Sequence, residues 1–325
     1  MATNISYIGP GEENDYPGLD EWEDAVGVAG HDENQIVILT EDITDNLSMA
    51  NGWNAVNITI KSDTPGVKRT VTSKTGGYQM IYAGDSSITS LTVEDLILDG
   101  TGQSSTKSGV QTSNGTDTVT LNRVHIKNVT QHSILIWSSS ATTALDCDNC
   151  IFENPGGSGY RGARTTTTAT FRNCLFVGCT GAAQNCAANA SNIGNYYNCL
   201  SFGNTGDDFA HAGGTQTTNV RYCVSQDSTA EDGNHDDNTG SVANKTATGT
   251  YFTDYAGGDY TLRHEDFTNW TINGEAANTP AKDFNNRTRV NNDIGPFEYV
   301  QHMVAPAIDQ TLTMKMARGL ADHEH

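Results

Sequence analysis

The residues best suited to do chemistry lie in two acidic segments. In Gly206-Asp207-Asp208-Phe209-Ala210-His211, adjacent carboxylates precede a histidine. Hydrolysis of a glycosidic bond needs two carboxyl groups flanking the bond, one of them to protonate the leaving oxygen. The second segment gathers Asp227, Glu231, Asp232, Asp236 and Asp237 around His235. A polysaccharide lyase would need carboxylates on a calcium ion and an activated basic residue to accept the proton. Neither segment completes its constellation: no Arg-x-Lys follows Asp208, and the second lacks the ordered spacing of a calcium loop. Adjacent Asp residues in Gly/Asn-rich turns ordinarily cap backbone N–H groups. The pair Cys147-x-x-Cys150 has no second pair at zinc-binding distance and no His partners. No phosphate-cradling glycine loop, nucleophile elbow or HExxH occurs. The sequence therefore assigns no catalytic, cofactor-binding or metal-binding residue.

The elements that would position such residues are set by a repeat. Cys150, Cys174, Cys199 and Cys223 are separated by 24, 25 and 24 residues, within Asn149-Cys150-Ile151-Phe152, Asn173-Cys174-Leu175-Phe176, Asn198-Cys199-Leu200-Ser201 and Tyr222-Cys223-Val224-Ser225. A fixed period of this length calls for a solenoid. The dense leucine consensus of leucine-rich repeats is missing, and Gly, Asn and Thr stand where helical repeats need helix formers. A parallel β-helix is left. Alternation in Leu121-Asn122-Arg123-Val124-His125-Ile126-Lys127 extends the pattern backwards. Aligning Val124 with Cys150 sets Ile126 beside Phe152, and Leu96 and Leu98 precede them. The cysteines are then small apolar core residues. With coils about 4.8 Å apart, roughly eleven coils over 35–300 would make a rod roughly 50 Å long.

If the cysteine row points inward, Ile151, Leu175, Leu200 and Val224 form an apolar row outside. Such a row must be covered, by a loop of the same chain, by a partner in a homo-oligomer or by a ligand. The open first coil needs a cap. Leu19, Trp22 and Val26 share one helical face and predict a short capping helix. The expected organisation is a cap over 1–34, the β-helix over 35–299 and a tail over 300–325. In the tail, Ile308, Leu312, Met316 and Leu320 recur every four positions as on a helix face, while Leu312, Met314 and Met316 alternate as in a strand, and either form suits a cap or an anchor.

Composition agrees with a turn-rich β protein. Apolar residues are 36%, yet 12 Tyr, 9 Phe and 4 Trp are spread along the chain, which argues against disorder. The net charge of −21 argues against nucleic acid or anionic membrane as partner. Residues 1–30 show no basic and apolar signal-peptide pattern. Folding in a reducing cytoplasm, with free thiols, is expected, and the Asn57-Ile58-Thr59 sequon then carries no glycan.

Three stretches resemble one family of right-handed parallel β-helix (pectate-lyase-like) proteins. Asp15-Tyr16-Pro17-Gly18-Leu19-Asp20-Glu21-Trp22-Glu23 is similar to its opening, and the Asn-Cys-hydrophobic-Phe repeats to its coils. Gly258-Asp259-Tyr260-Thr261-Leu262, Asp283-Phe284-Asn285-Asn286-Arg287 and Asp293-Ile294-Gly295-Pro296-Phe297-Glu298-Tyr299 resemble its closing segment, with Pro296 where alanine is usual. The resemblance spans residues 15 to 299 and implies a right-handed coil. The family holds phage virion proteins, surface proteins and polysaccharide-degrading enzymes, and Asp207, Asp208 and His211 faintly resemble polygalacturonase elements. The expectation is a non-enzymatic bacteriophage virion protein: a capsid decoration protein or a tail-associated adhesin. Its expected partners are other capsid or tail proteins and a host-surface glycan. The alternatives are a polysaccharide lyase or hydrolase, including a depolymerase, and a cell-surface adhesin.

Overall fold

The computed structural model describes residues 2–297 other than 28–31, 51–52, 55, 77–78, 105–106, 114–115, 138–142, 163–166, 182–183, 187–192, 210–216, 246–251, 263–273 and 291. The chain winds into a parallel β-solenoid with three sheets. The first sheet has nine strands: Thr3–Ile8, Asn34–Leu39, Val56–Ser62, Ile88–Glu94, Thr118–Asn122, Thr143–Asp148, Thr167–Arg172, Ile193–Tyr197 and Thr217–Arg221. Eight short strands, from Ile43–Thr44 to Val224–Ser225, build the second sheet, and six, from Leu47–Met49 to Gln184–Cys186, build the third. Among the described residues, six turns visit all three sheets.

The alternation read from the sequence sets which side of each strand faces in. Val119 and Leu121 are buried, while Thr118, Thr120 and Asn122 between them face out. Successive coils stack like residues on like. Ile97 pairs with His125, which pairs with Ile151, Leu175, Leu200 and Val224 in turn. Val124, Cys150, Cys174, Cys199 and Cys223 are therefore in register one position earlier, and all are fully buried. Rings fill the wider part of the interior. Phe171 stacks on Tyr196 with centroids 5.0 Å apart, and Phe152 on Phe176 at the same distance.

The helix Leu19–Val26 buries Leu19, Trp22 and Val26 as expected, with Trp22 against Trp53. Its N-terminus is capped from a distance. Asp45 Oδ2 accepts from Leu19 N at 2.6 Å and Asp20 N at 3.1 Å, placing a carboxylate at the positive end of the helix dipole. Lys74 ties the arrangement together through Asp20 and Asp45.

The estimate of roughly eleven coils is corrected. Nine strands at about 4.8 Å make a sheet roughly 38 Å across. Two causes reduce the count. Early coils are longer than the cysteine period, because more residues separate their strands, as between Leu96–Asp99 and Val110–Ser113. In addition, the described residues of 274–297 leave the coil path, and Lys282, Phe284, Asp293 and Gly295 lie against the corners of earlier coils. The tail over 300–325, with Ile308, Leu312, Met316 and Leu320, lies outside the described residues.

Candidate functional site

A repeated corner, where the first sheet turns into the second, is densely hydrogen-bonded. The six coils whose first-sheet strands run from Ile88–Glu94 to Thr217–Arg221 bend there through one residue with positive φ: Asp95 (53°), Arg123 (57°), Asn149 (54°), Asn173 (54°), Asn198 (56°) and Tyr222 (52°). Asn and Asp tolerate this left-handed conformation better than other side-chain-bearing residues. The asparagine before Cys150, Cys174 and Cys199 thus has a backbone reason. It also has a side-chain one.

Asn149, Asn173 and Asn198 form a ladder that receives the returning segment. Asn149 Nδ2 donates to Lys282 O at 2.8 Å, and its Oδ1 accepts from Arg289 Nη2 at 2.8 Å. Asn173 Nδ2 donates to Asp293 O and Gly295 O at 2.6 and 3.1 Å. Asn198 accepts from Glu275 N and donates to Glu275 O and Thr279 Oγ1. In earlier coils the same corner carries charge. Arg123 makes a two-pronged contact with Asp95 at 2.9 and 2.8 Å, and Lys68 joins at 3.0 Å. Burial works to raise the Asp95 carboxyl, but these two cations overcome it and hold it below the usual carboxylate range. Lys68 also donates to Phe284 O at 2.7 Å and lies 4.3 Å over the Phe284 ring.

The ladder presses an apolar cover onto the outer row. Ile151, Leu175, Leu200 and Val224 are buried with Val177, Phe202, Phe252, Tyr260, Phe284, Ile294 and Phe297 in a second hydrophobic cluster. The row is therefore covered in cis by the closing segment. At its border, His125 Nε2 meets Glu153 Oε2 at 2.7 Å. Burial favours the neutral Glu153 acid, but His125 and the Tyr260 hydroxyl outweigh it and hold the carboxyl below its ordinary value. Burial and the same carboxylate push the Tyr260 phenol up.

The residues singled out for chemistry are tied into turns. Asp208 is 2% exposed and accepts four hydrogen bonds: Ser201 Oγ at 2.9 Å, Asn204 Nδ2 at 2.6 Å, Gln226 N at 2.6 Å and Asp227 N at 3.1 Å. Burial, with Asp227 adding to it, pushes this carboxyl up to about 6 against the pull of those donors. Asp207 is exposed, and His211 lies outside the described residues. In the second segment each of four carboxylates serves a backbone N–H: Asp227 that of Thr229, Asp232 that of Asn234, Asp236 that of Thr218, Asp237 that of Thr239. Glu231 is exposed, and His235 Nε2 bonds Phe209 O at 3.1 Å. Among the described residues no three metal-ligating side chains converge. Cys147, Cys150, Cys174, Cys179, Cys199 and Cys223 are free and buried. Burial pushes the Cys147, Cys174 and Cys223 thiols well up, as suits core residues.

Sequence reasoning named the repeat asparagines and Phe284 only as parts of motifs, without their bonding roles, and passed over Lys68. A polar residue of one type at one position of three successive coils was the available signal. Compared with protein-family models, curated proteins and solved structures, the chain shows no significant match.

Proposed function

We propose that the chain is a non-enzymatic structural protein on the surface of a bacteriophage particle, with capsid decoration as its first role and tail-associated adhesion as its second. The observation that carries this reading is the closing seam. Three stacked asparagines, a buried Lys68–Asp95–Arg123 network and an apolar cover bind the described residues between 252 and 297 to the side of the solenoid. The design secures a rigid body, and the side chains spent on it are the ordered polar ones. An acidic surface with a net charge of −21 suits contact with capsid or tail proteins better than with nucleic acid or membrane. Immunogold electron microscopy of particles with antibodies to this protein tests the proposal. Label on heads or tails supports it; unlabelled particles with the protein free in the medium overturn it.

A second reading, a polysaccharide lyase or hydrolase, draws on one observation. Asp208, lifted to about 6, has the protonation that a general acid needs. Its four donors leave little room for a sugar oxygen, so the first reading is preferred. Cleavage of a surface polysaccharide that Asp208→Asn abolishes would reverse that preference.

A further inference from the structure

Away from the closing seam, two hydrogen-bond donors, His132 Nε2 and Arg161 Nη1, face each other 3.4 Å apart. His132 lies in the turn between the strands His125–Lys127 and Ile134–Trp137 and is 5% exposed. Ser158 of the next coil donates its backbone N–H to His132 Nδ1 at 3.0 Å. A neutral imidazole carries one proton, so this bond places it on Nε2. Burial and the nearby Arg161 charge hold the imidazole down at about 4, which keeps it neutral. Nε2–H then faces Arg161 Nη1 at 3.4 Å, and a guanidinium has only donors to offer.

Arg161 projects outward from the strand Tyr160–Gly162. Arg69, Arg123, Arg172 and Arg221 each pair with a carboxylate. Arg161 makes no such pair among the described residues, and its buried Nε has no partner. The ring is held in place by the backbone above it. A Cβ at Gly157 would come within 2.9 Å of His132 Nδ1 and 2.7 Å of Gln131 O, so only glycine lets the chain pass this close. A fixed Nε2–H and an unpaired guanidinium are an incomplete hydrogen-bonding set in a partly buried setting.

We propose that His132 Nε2–H and the Arg161 guanidinium together bind one carboxylate group of a small organic acid or an acidic sugar. A planar two-oxygen acceptor can take Nε2–H on one oxygen and the guanidinium on the other. The chain's overall −21 charge disfavours a dianion such as phosphate. This proposal does not depend on the particle-surface reading.

The test is proton–nitrogen NMR of the histidine side chains in the full chain, titrated with sodium acetate or sodium glucuronate, with sodium chloride and sodium phosphate as controls. The expected result is a saturable shift of His132 Nε2 with the carboxylates, weakened at least tenfold in Arg161→Ala. Arg161→Lys keeps the charge but not the fork, and should also weaken binding. Equal affinities would identify any free carboxylate as the ligand; glucuronate at least tenfold tighter would identify an acidic sugar. A shift no larger than that with sodium chloride, one that persists in Arg161→Ala, or tighter binding of phosphate overturns the proposal.

Discussion

Asn173 donates its side-chain amide to the main-chain oxygen of Asp293 at 2.6 Å, across 120 residues of chain. One repeat corner and the closing turn are thereby a single hydrogen-bonded unit. Two demands meet at Asn173: a φ of 54° and two carbonyls, of Asp293 and Gly295, that need a donor. Asn173→Ala meets neither and should lower the unfolding free energy by roughly 2–4 kcal/mol, from lost hydrogen bonds and left-handed strain. Asn173→Gly relieves the strain alone and should recover about 1 kcal/mol of that loss. Urea unfolding of the two variants separates the contributions.

Gly295 seats the closing turn against the solenoid. Its φ is 93°, and an added Cβ would lie 2.5 Å from Leu200 Cδ1. Gly295→Ala should cost about 1–3 kcal/mol through strain and displacement. The displacement falls on the seam, so limited proteolysis should cut within 252–297 sooner than in the parent protein.

Acid stability should contain two opposing contributions. His132 falls from an ordinary value near 6.5 to about 4 in the fold. The unfolded chain then binds the extra proton between those values, so stability rises with pH there by about 3 kcal/mol. Asp208 moves the other way, from 3.8 to about 6. Here the folded chain holds the extra proton, and stability falls by about 3 kcal/mol as pH rises through the same window. The two nearly cancel. His132→Gln should leave stability falling from pH 4 to pH 6, and Asp208→Asn should leave it rising, each read from urea midpoints across that range.

The buried thiols should be chemically silent. Cys147, Cys150, Cys174, Cys179, Cys199 and Cys223 are buried in the fold. Iodoacetamide at pH 8 should leave them unmodified in the native protein and alkylate all six in denaturant, by mass spectrometry of the peptides. Rapid native alkylation of Cys174 or Cys199 would mean that the inward row is misassigned.

The part of the fold that repeats was legible in the sequence. Cys150, Cys174, Cys199 and Cys223 stack because parallel coils set equivalent residues side by side, and the alignment of Val124 and Ile126 followed from the same register. The capping face Leu19, Trp22 and Val26 was legible from helical spacing. The cover of the outer row was not. Leu175 and Leu200 meet Phe284, Ile294 and Phe297 through contacts that have no period, so exposed-row chemistry could be recognised while its occupant could not. The coil count failed for a related reason, since the strands near the end continue the composition of the coils without continuing their path. His132 and Arg161 come together across one coil step, and no spacing rule marks such a pair.

The central structural claim is that the row Ile151, Leu175, Leu200 and Val224 is sealed by its own chain. The most direct measurement is the solution molar mass, with limited proteolysis, of a Leu175→Lys, Leu200→Lys double variant beside the parent protein. A cis seal predicts an unchanged molar mass together with a segment 252–297 that is cut far more readily. A fall from an oligomer to a single chain, with that segment still protected, would contradict it.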